Sequence, residues 1–252
     1  MTFCKSSDKW GLLIVAVNTR IEWTEATWNP ITGCTKITDG CTNCYAYSMA
    51  KRLYAMGNVR YRNGFKVTVH RDLILQPLKW KKSRMIFVNS MSDLFHEDVD
   101  FNIIKEIFKI MQEASQHTFQ IITKRSERLL NLSPYLPWSN NIWQGVTVEN
   151  CKYLFRIEHL KKTPAKVKFI SFEPLLGAIP EVDLGYIDWA IAGGESGPRA
   201  RPVDINWLRQ LRDQCIYQRV PFFFKQWGGV RKNKDRRLDD EYWNQYPTCK
   251  MQ

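Results

Sequence analysis

With 252 residues, 44% hydrophobic and 13% aromatic, the chain can bury the core of one large domain or two small ones, and a single α/β barrel is a normal solution at this length. Thirty-seven Lys and Arg against 25 Asp and Glu leave a formal charge of +12, which favours polyanionic partners, nucleic acid among them. No apolar run approaches the ~20 residues of a membrane span, and seven irregularly spaced cysteines exclude a small disulfide scaffold and point to a reducing, cytoplasmic setting.

Residues 1–20 read as an N-terminal extension: the apolar run 11–17 is short for a signal segment, and no small-residue cleavage site follows it. From 21 to 229 one theme repeats, a short β-rich apolar run followed by an amphipathic stretch. Strands are expected at 28–32, 65–69, 85–89, 118–123, 142–148, 167–172, 187–192 and 221–224. Helices are expected at 42–56, 72–81, 101–116, 126–132, 150–160 and 204–218. The run at 85–89 (MIFVN) is continuously apolar, as suits a parallel strand buried on both faces. In 101–116, Ile103, Ile104, Ile107, Phe108 and Met111 form one stripe. Pro30 makes the first strand irregular. Residues 230–252 read as a basic, exposed tail with no further core, densest in charge at 231–237. Alternation of this kind predicts a parallel sheet with right-handed crossovers, closing into a complete or partial TIM-like (β/α) barrel as a single domain over 21–229.

In such a barrel, function sits at the C-terminal strand ends, and nearly every expected strand delivers polar residues there. Cys34, Cys41 and Cys44 follow the first. Ser90, Ser92 and Asp93 follow 85–89, Lys124 and Arg125 follow 118–123, and Glu149 and Asn150 follow 142–148. Glu173 follows 167–172, Glu195 follows 187–192, and Lys225 and Trp227 follow 221–224. The cysteines, spaced C-x6-C-x2-C with a glycine before each of the first two, decide the chemistry. Thiolates suit zinc or iron–sulfur clusters. A structural zinc site takes four protein ligands, and only three are local here. The favoured reading is a [4Fe–4S] cluster on Cys34, Cys41 and Cys44 with one iron open to an outside ligand. Zinc, completed by His70 or His96, is the alternative. Cys4, Cys151, Cys215 and Cys249 read as ordinary free thiols.

Three cluster cysteines after the first strand of an α/β barrel resemble the radical S-adenosylmethionine (SAM) enzymes, although their common spacing has a shorter first gap. The resemblance implies that the open iron chelates SAM and that electron transfer cleaves it to a 5′-deoxyadenosyl radical. A closer resemblance, running from 21 to 229, is to the uncharacterised phage-associated three-Cys-motif family, which is grouped with radical-SAM-like barrels. It is carried by Ile21-Glu22-Trp23-Thr24, Trp28-Asn29-Pro30, the cysteine loop through Tyr45, Ser90-Met91-Ser92-Asp93-Leu94-Phe95 and Thr123-Lys124-Arg125. Gly145 to Asn150, Ser171-Phe172-Glu173-Pro174-Leu175, Gly193-Gly194-Glu195-Ser196-Gly197 and Phe224-Lys225-Gln226-Trp227-Gly228 complete it. It implies a partner protein and names no substrate; nucleic acid, a nucleoside or that partner would serve.

Within this frame each rim residue has a chemical role and a plain structural alternative. Glu195, with Gly193 and Gly194 letting backbone approach, would contact the SAM amino group, or cap a turn. Asp93 with Ser90 and Ser92 would bind ribose or substrate hydroxyls, or cap the next segment. Glu173 would be a polar ligand or proton shuttle, or a turn residue before Pro174. Lys124 and Arg125 would bind a carboxylate or phosphate, or be solvated. Lys225 and Trp227 would give a charged and a stacking contact, or Trp227 would plug the barrel mouth. The competing function classes are a nucleic-acid-binding protein holding zinc or a cluster without radical chemistry, and a zinc-dependent hydrolase with Glu173 or Glu195 as base.

Overall fold

A computed structural model describes residues 19, 21–230 and 235–248. Most of 1–20, residues 231–234 of the basic run, and Cys4 and Cys249 lie outside the described residues.

Seven strands form one parallel sheet: β1 (Ala26–Trp28), then, after a small antiparallel pair of β2 (Ile31–Thr32) with β3 (Thr68–Val69), β4 (Met85–Val88), β5 (Thr118–Thr123), β6 (Ile142–Thr147), β7 (Val167–Phe172), β8 (Trp189–Gly193) and β9 (Phe222–Gln226). The spatial order β1-β4-β5-β6-β7-β8-β9 follows the chain, and β1 and β9 remain as the two edges. The sheet is therefore a curled, partial TIM-like barrel. Helices α1 (Tyr45–Ala55) and α2 (Arg71–Ile74) lie between β1 and β4. Four crossovers carry α3 (Phe101–Glu113), α4 (Ser126–Leu132), α5 (Phe155–Lys161) and α6 (Ile205–Tyr217). Among the described residues no helix is long and apolar enough to cross a membrane.

Strand alternation sorts the two faces. Ile86, Val88, Phe119, Ile121 and Val146 share one large buried cluster with the stripe of α3, whose Ile104, Ile107, Phe108 and Met111 are fully buried. The first turns of α3 and α6 are capped by the Asp100 and Asp204 carboxylates, which accept from Asn102 N and Asn206 N. The inner face carries Trp23, Trp143, Phe169, Trp189 and Phe223, an aromatic floor built around Trp189. Gly145 makes room for it: a Cβ there would stand 2.6 Å from the Phe169 ring.

Two expectations change. The strand expected at 28–32 is split, because Pro30 has no N–H to extend the ladder; β1 ends at Trp28, and β2 turns away to pair with β3 outside the barrel. Seven strands, not eight, thus make the sheet. The tail also contributes core. Strands β10 (Arg237–Leu238) and β11 (Glu241–Tyr242) form a hairpin with Leu238 fully buried. Asp239 takes Arg209 and Arg212 of α6. Trp243 O accepts from Phe224 N at 2.9 Å, so the hairpin backs β9. Gln245 O accepts from Trp189 Nε1, and the Tyr246 hydroxyl donates to Glu22 O at 3.3 Å, across the open edge.

Candidate functional site

The cysteine loop begins where only glycine fits. Gly33 has φ +90°, and a Cβ there would lie 2.2 Å from Lys66 O. The loop then makes a 3-10 turn over Asp39–Cys41 and enters α1 directly after Cys44. All three thiols are free and half-buried.

Residues from several strand ends hold this loop. The fully buried Glu149 accepts from Thr38 Oγ1 at 2.6 Å and pairs with Arg156 at 2.8 Å. Glu195 accepts from Asn43 Nδ2 at 3.0 Å and takes Arg201 at both oxygens, at 2.9 and 2.6 Å; Arg201 also donates to Asp39 O. Arg125 donates to Thr35 Oγ1 at 2.8 Å and lies 3.5 Å from Cys34 Sγ, braced by Glu97 and Asp93. His96 Nε2 meets the same Thr35 hydroxyl at 2.8 Å. Asp93 further accepts from Thr123 Oγ1 and Lys124 N.

The electrostatics differ from thiol to thiol. Burial, with Asp93 adding to it, pushes Cys34 up to about 11 against the pull of Arg125. Burial also pushes Cys41 up, but the Lys124 ammonium and hydrogen bonds from Ile37 and Thr38 outweigh it, and the thiol ends below its ordinary value. Burial raises Glu195, but its bonds to Arg201 and Asn43 outweigh that and leave it below the usual carboxylate range.

Beneath the loop opens a cavity of about 480 Å³, whose lining includes Cys44 and Tyr45 at the mouth, Trp23, Phe87 and Ile122 as apolar wall, and Glu173 with Lys225. Lys225 Nζ stands 2.9 Å from Glu173 Oε1. Ser90, Ser171, Ser196 and Gln226 add hydrogen-bonding groups.

A family model described as "Protein of unknown function (DUF5131)" matches residues 18–247, from before β1 through the tail hairpin. The chain belongs to that family. None of the curated proteins matches it. Among solved structures it is similar to spore photoproduct lyase complexed with dinucleoside spore photoproduct, at 12% identity and TM-score 0.44, with 76% of this chain and 61% of that chain covered. A double mutant of the lyase with bound AdoMet and dinucleoside spore photoproduct gives the same identity and TM-score over 84% and 63%. The chain thus spans less than two thirds of the length of these structures.

In this DUF5131 chain the residues expected at the rim fall into three groups. Asp93, Arg125, Glu149 and Glu195 spend their charges on the cysteine loop or on one another, and Lys124 Nζ stands 3.9 Å from Glu149. Ser90, Glu173, Gly194, Glu195 and Lys225 line the cavity. The rest do neither. Ser92 Oγ donates to Ile31 O, Asn150 caps the turn Cys151–Tyr153, and Trp227 packs edge-on against Phe224 with its indole on Arg237 O. Gly193 and Gly194 allow close approach: Cβ atoms there would fall 2.9 Å from Glu173 Oε1 and 2.1 Å from Trp227 O. Thr35, Thr38, Asn43, Arg156 and Arg201 escaped the sequence reading. The first three are polar residues inside the loop and could have been suspected; nothing local marks Arg201.

The donor set fits a thiolate-bound cluster. Three unpaired thiols share one braced loop, with the cations Lys124 and Arg125 beside two of them. Among the described residues no three His, Cys, Asp or Glu side chains could hold a single metal ion. His70 and His96 are bonded to Thr32 and Thr35.

Proposed function

We propose that this protein is a radical-SAM-type iron–sulfur enzyme in which Cys34, Cys41 and Cys44 would hold a [4Fe–4S] cluster with one iron left without a protein ligand, available to SAM. The observation that carries it is the loop itself: three free thiols, tied down by Arg125, Glu149 and Glu195 from three different strand ends, over a cavity that Cys44 lines. Such a cluster, if held there and reduced, would supply the electron for cleaving a sulfonium such as that of SAM. The remaining work falls to side chains. Trp23, Phe87 and Ile122 keep water from the reacting region. Ser90, Ser171 and Gln226 can orient hydroxyls such as those of a ribose. Glu173 and Lys225, paired in a mostly apolar wall, are placed to hold or exchange a proton with the bound substrate. The phage setting, the partner protein and the reducing cytoplasm belong to the same proposal.

The test is anaerobic reconstitution followed by iron, sulfide and zinc analysis. About four irons and four sulfides per chain are expected, with loss in Cys41→Ala, a change of the reduced electron paramagnetic resonance signal on adding SAM, and SAM cleavage under a strong reductant. Stoichiometric zinc without iron would overturn it.

A further inference from the structure

The surface beside the cysteine loop has an unusual composition. From residue 40 to 71 there are six Lys or Arg and no Asp or Glu. Arg60 and Arg71 are paired with Asp72 and Glu106. The other four, Lys51, Arg52, Arg62 and Lys66, are exposed and form no ion pair among the described residues, and Lys36 on the cysteine loop is exposed beside them.

Aromatic rings lie among these charges. Tyr47 and Tyr54 are 40% and 57% exposed, and with Lys51 they occupy positions i, i+4 and i+7 on one face of α1. The Lys36 and Lys51 ammonium groups each lie 5.5 Å from the Tyr47 ring centre, and Phe65 meets it edge-on at 5.6 Å. The helix is anchored through the neighbouring stripe of Ala46, Ala50 and Leu53, which is buried and leaves the rings of Tyr47 and Tyr54 partly open to solvent. The helix starts directly after Cys44, at the mouth of the cavity.

We propose that this α1 face is a docking surface for single-stranded nucleic acid, running to the cavity mouth. Unpaired cations match a phosphate backbone. Exposed tyrosines flanked by cations offer stacking platforms, which unpaired bases can reach and a duplex, whose base faces are covered, cannot. The docking stands apart from the cluster, because binding is compared in the full chain before and after reconstitution with iron, and either reading can fail alone. That the docked strand is also the substrate rests on the function proposed above.

The experiment is fluorescence anisotropy of a labelled single strand of about 12 nucleotides, within the 4–16 typical of such sites, titrated with the full chain, before and after reconstitution, at several salt concentrations. Four cations, Lys36, Lys51, Arg62 and Lys66 (Arg52 points to another side of α1), predict a log–log salt slope of about −2.8, falling by about 1.4 in Lys51→Ala/Arg62→Ala. Tyr47→Ala and Tyr54→Ala should each weaken binding roughly tenfold with the slope unchanged. Lys105→Ala/Lys109→Ala on the exposed face of α3 makes the same change in net charge and should leave affinity within twofold. Lys51→Arg/Arg62→Lys should keep the wild-type slope, and thermal unfolding checks that each variant is folded. The proposal is overturned by equal losses in the α3 variant, by tyrosine variants that bind like wild type, by tighter binding of a duplex of the same length, or by effective competition from polyglutamate, which would mark an acidic protein site.

Discussion

Glu195 shows how much one side chain can bind together. Its carboxylate, 5% exposed, joins the end of β8 to Asn43 in the cysteine loop and to Arg201. Because its folded pKa lies below the ordinary value of about 4.3, its contribution is fully present above that value and is lost as pH falls through the folded one. Glu195→Gln should therefore lower stability at pH 7 by about 1.5–3 kcal/mol, the range for bonds to charged groups. It should also flatten the fall in Tm between pH 5 and 3 relative to wild type, as scanning calorimetry would show. If both proteins melt in parallel across that range, the carboxylate is not held as described. The thiols separate at the same scale. With Cys41 below its ordinary value and Cys34 near 11, the iron-free protein at pH 8 should be alkylated faster at Cys41, by peptide mass mapping, and Lys124→Ala should narrow the difference.

At the scale of elements, the cysteine loop depends on what stands behind it. A Cβ at Gly40 would sit 2.6 Å from Glu149 Oε1, and Glu149 cannot swing away while Arg156 and Thr38 hold it. Gly40→Ala should reduce iron retained after reconstitution by at least half, with Tm falling by only a few degrees, measured by iron content and calorimetry. Lower on the strand that leads to Glu149, Gly145→Ala should destabilise by about 1–3 kcal/mol through overpacking on Phe169, and adding Phe169→Leu should recover part of that in urea unfolding. These elements were unequally legible in the sequence. β4, β8 and the start of β9 announced themselves because strands covered on both faces read as unbroken apolar runs, while β5, β6 and β7 were legible as short β-rich runs despite Gln120, Gln144 and Lys168. The cysteines were legible because their spacing is local. Their braces were not: Thr38 meets Glu149 across 111 residues, and Asn43 meets Glu195 across 152. The strand ends were correctly marked as polar, but spacing alone could not tell a residue that faces the cavity from one that steadies the loop.

The whole molecule is held as much at its edges as in its sheet. The tail hairpin looked like solvent-exposed sequence because Leu238, Trp243 and Tyr246 are scattered among charges and meet partners far away, as in the pairing of Asp239 with Arg209 and Arg212. A chain ending at Gly229 should lose Tm by ten degrees or more or fail to accumulate as folded protein, since Trp189, Phe222 and Phe224 would lose the backbone partners that residues 243–245 supply. The contact between Tyr246 and Glu22 has a different consequence. Residues near the two ends of the stretch matched by the family model meet at the open edge of the barrel, so a short linker could join them there and new termini could be opened in the helix-free connection between β7 and β8. Such a circular permutant would keep every brace on the cysteine loop, while one opened inside 34–44 would divide the thiols between its two ends.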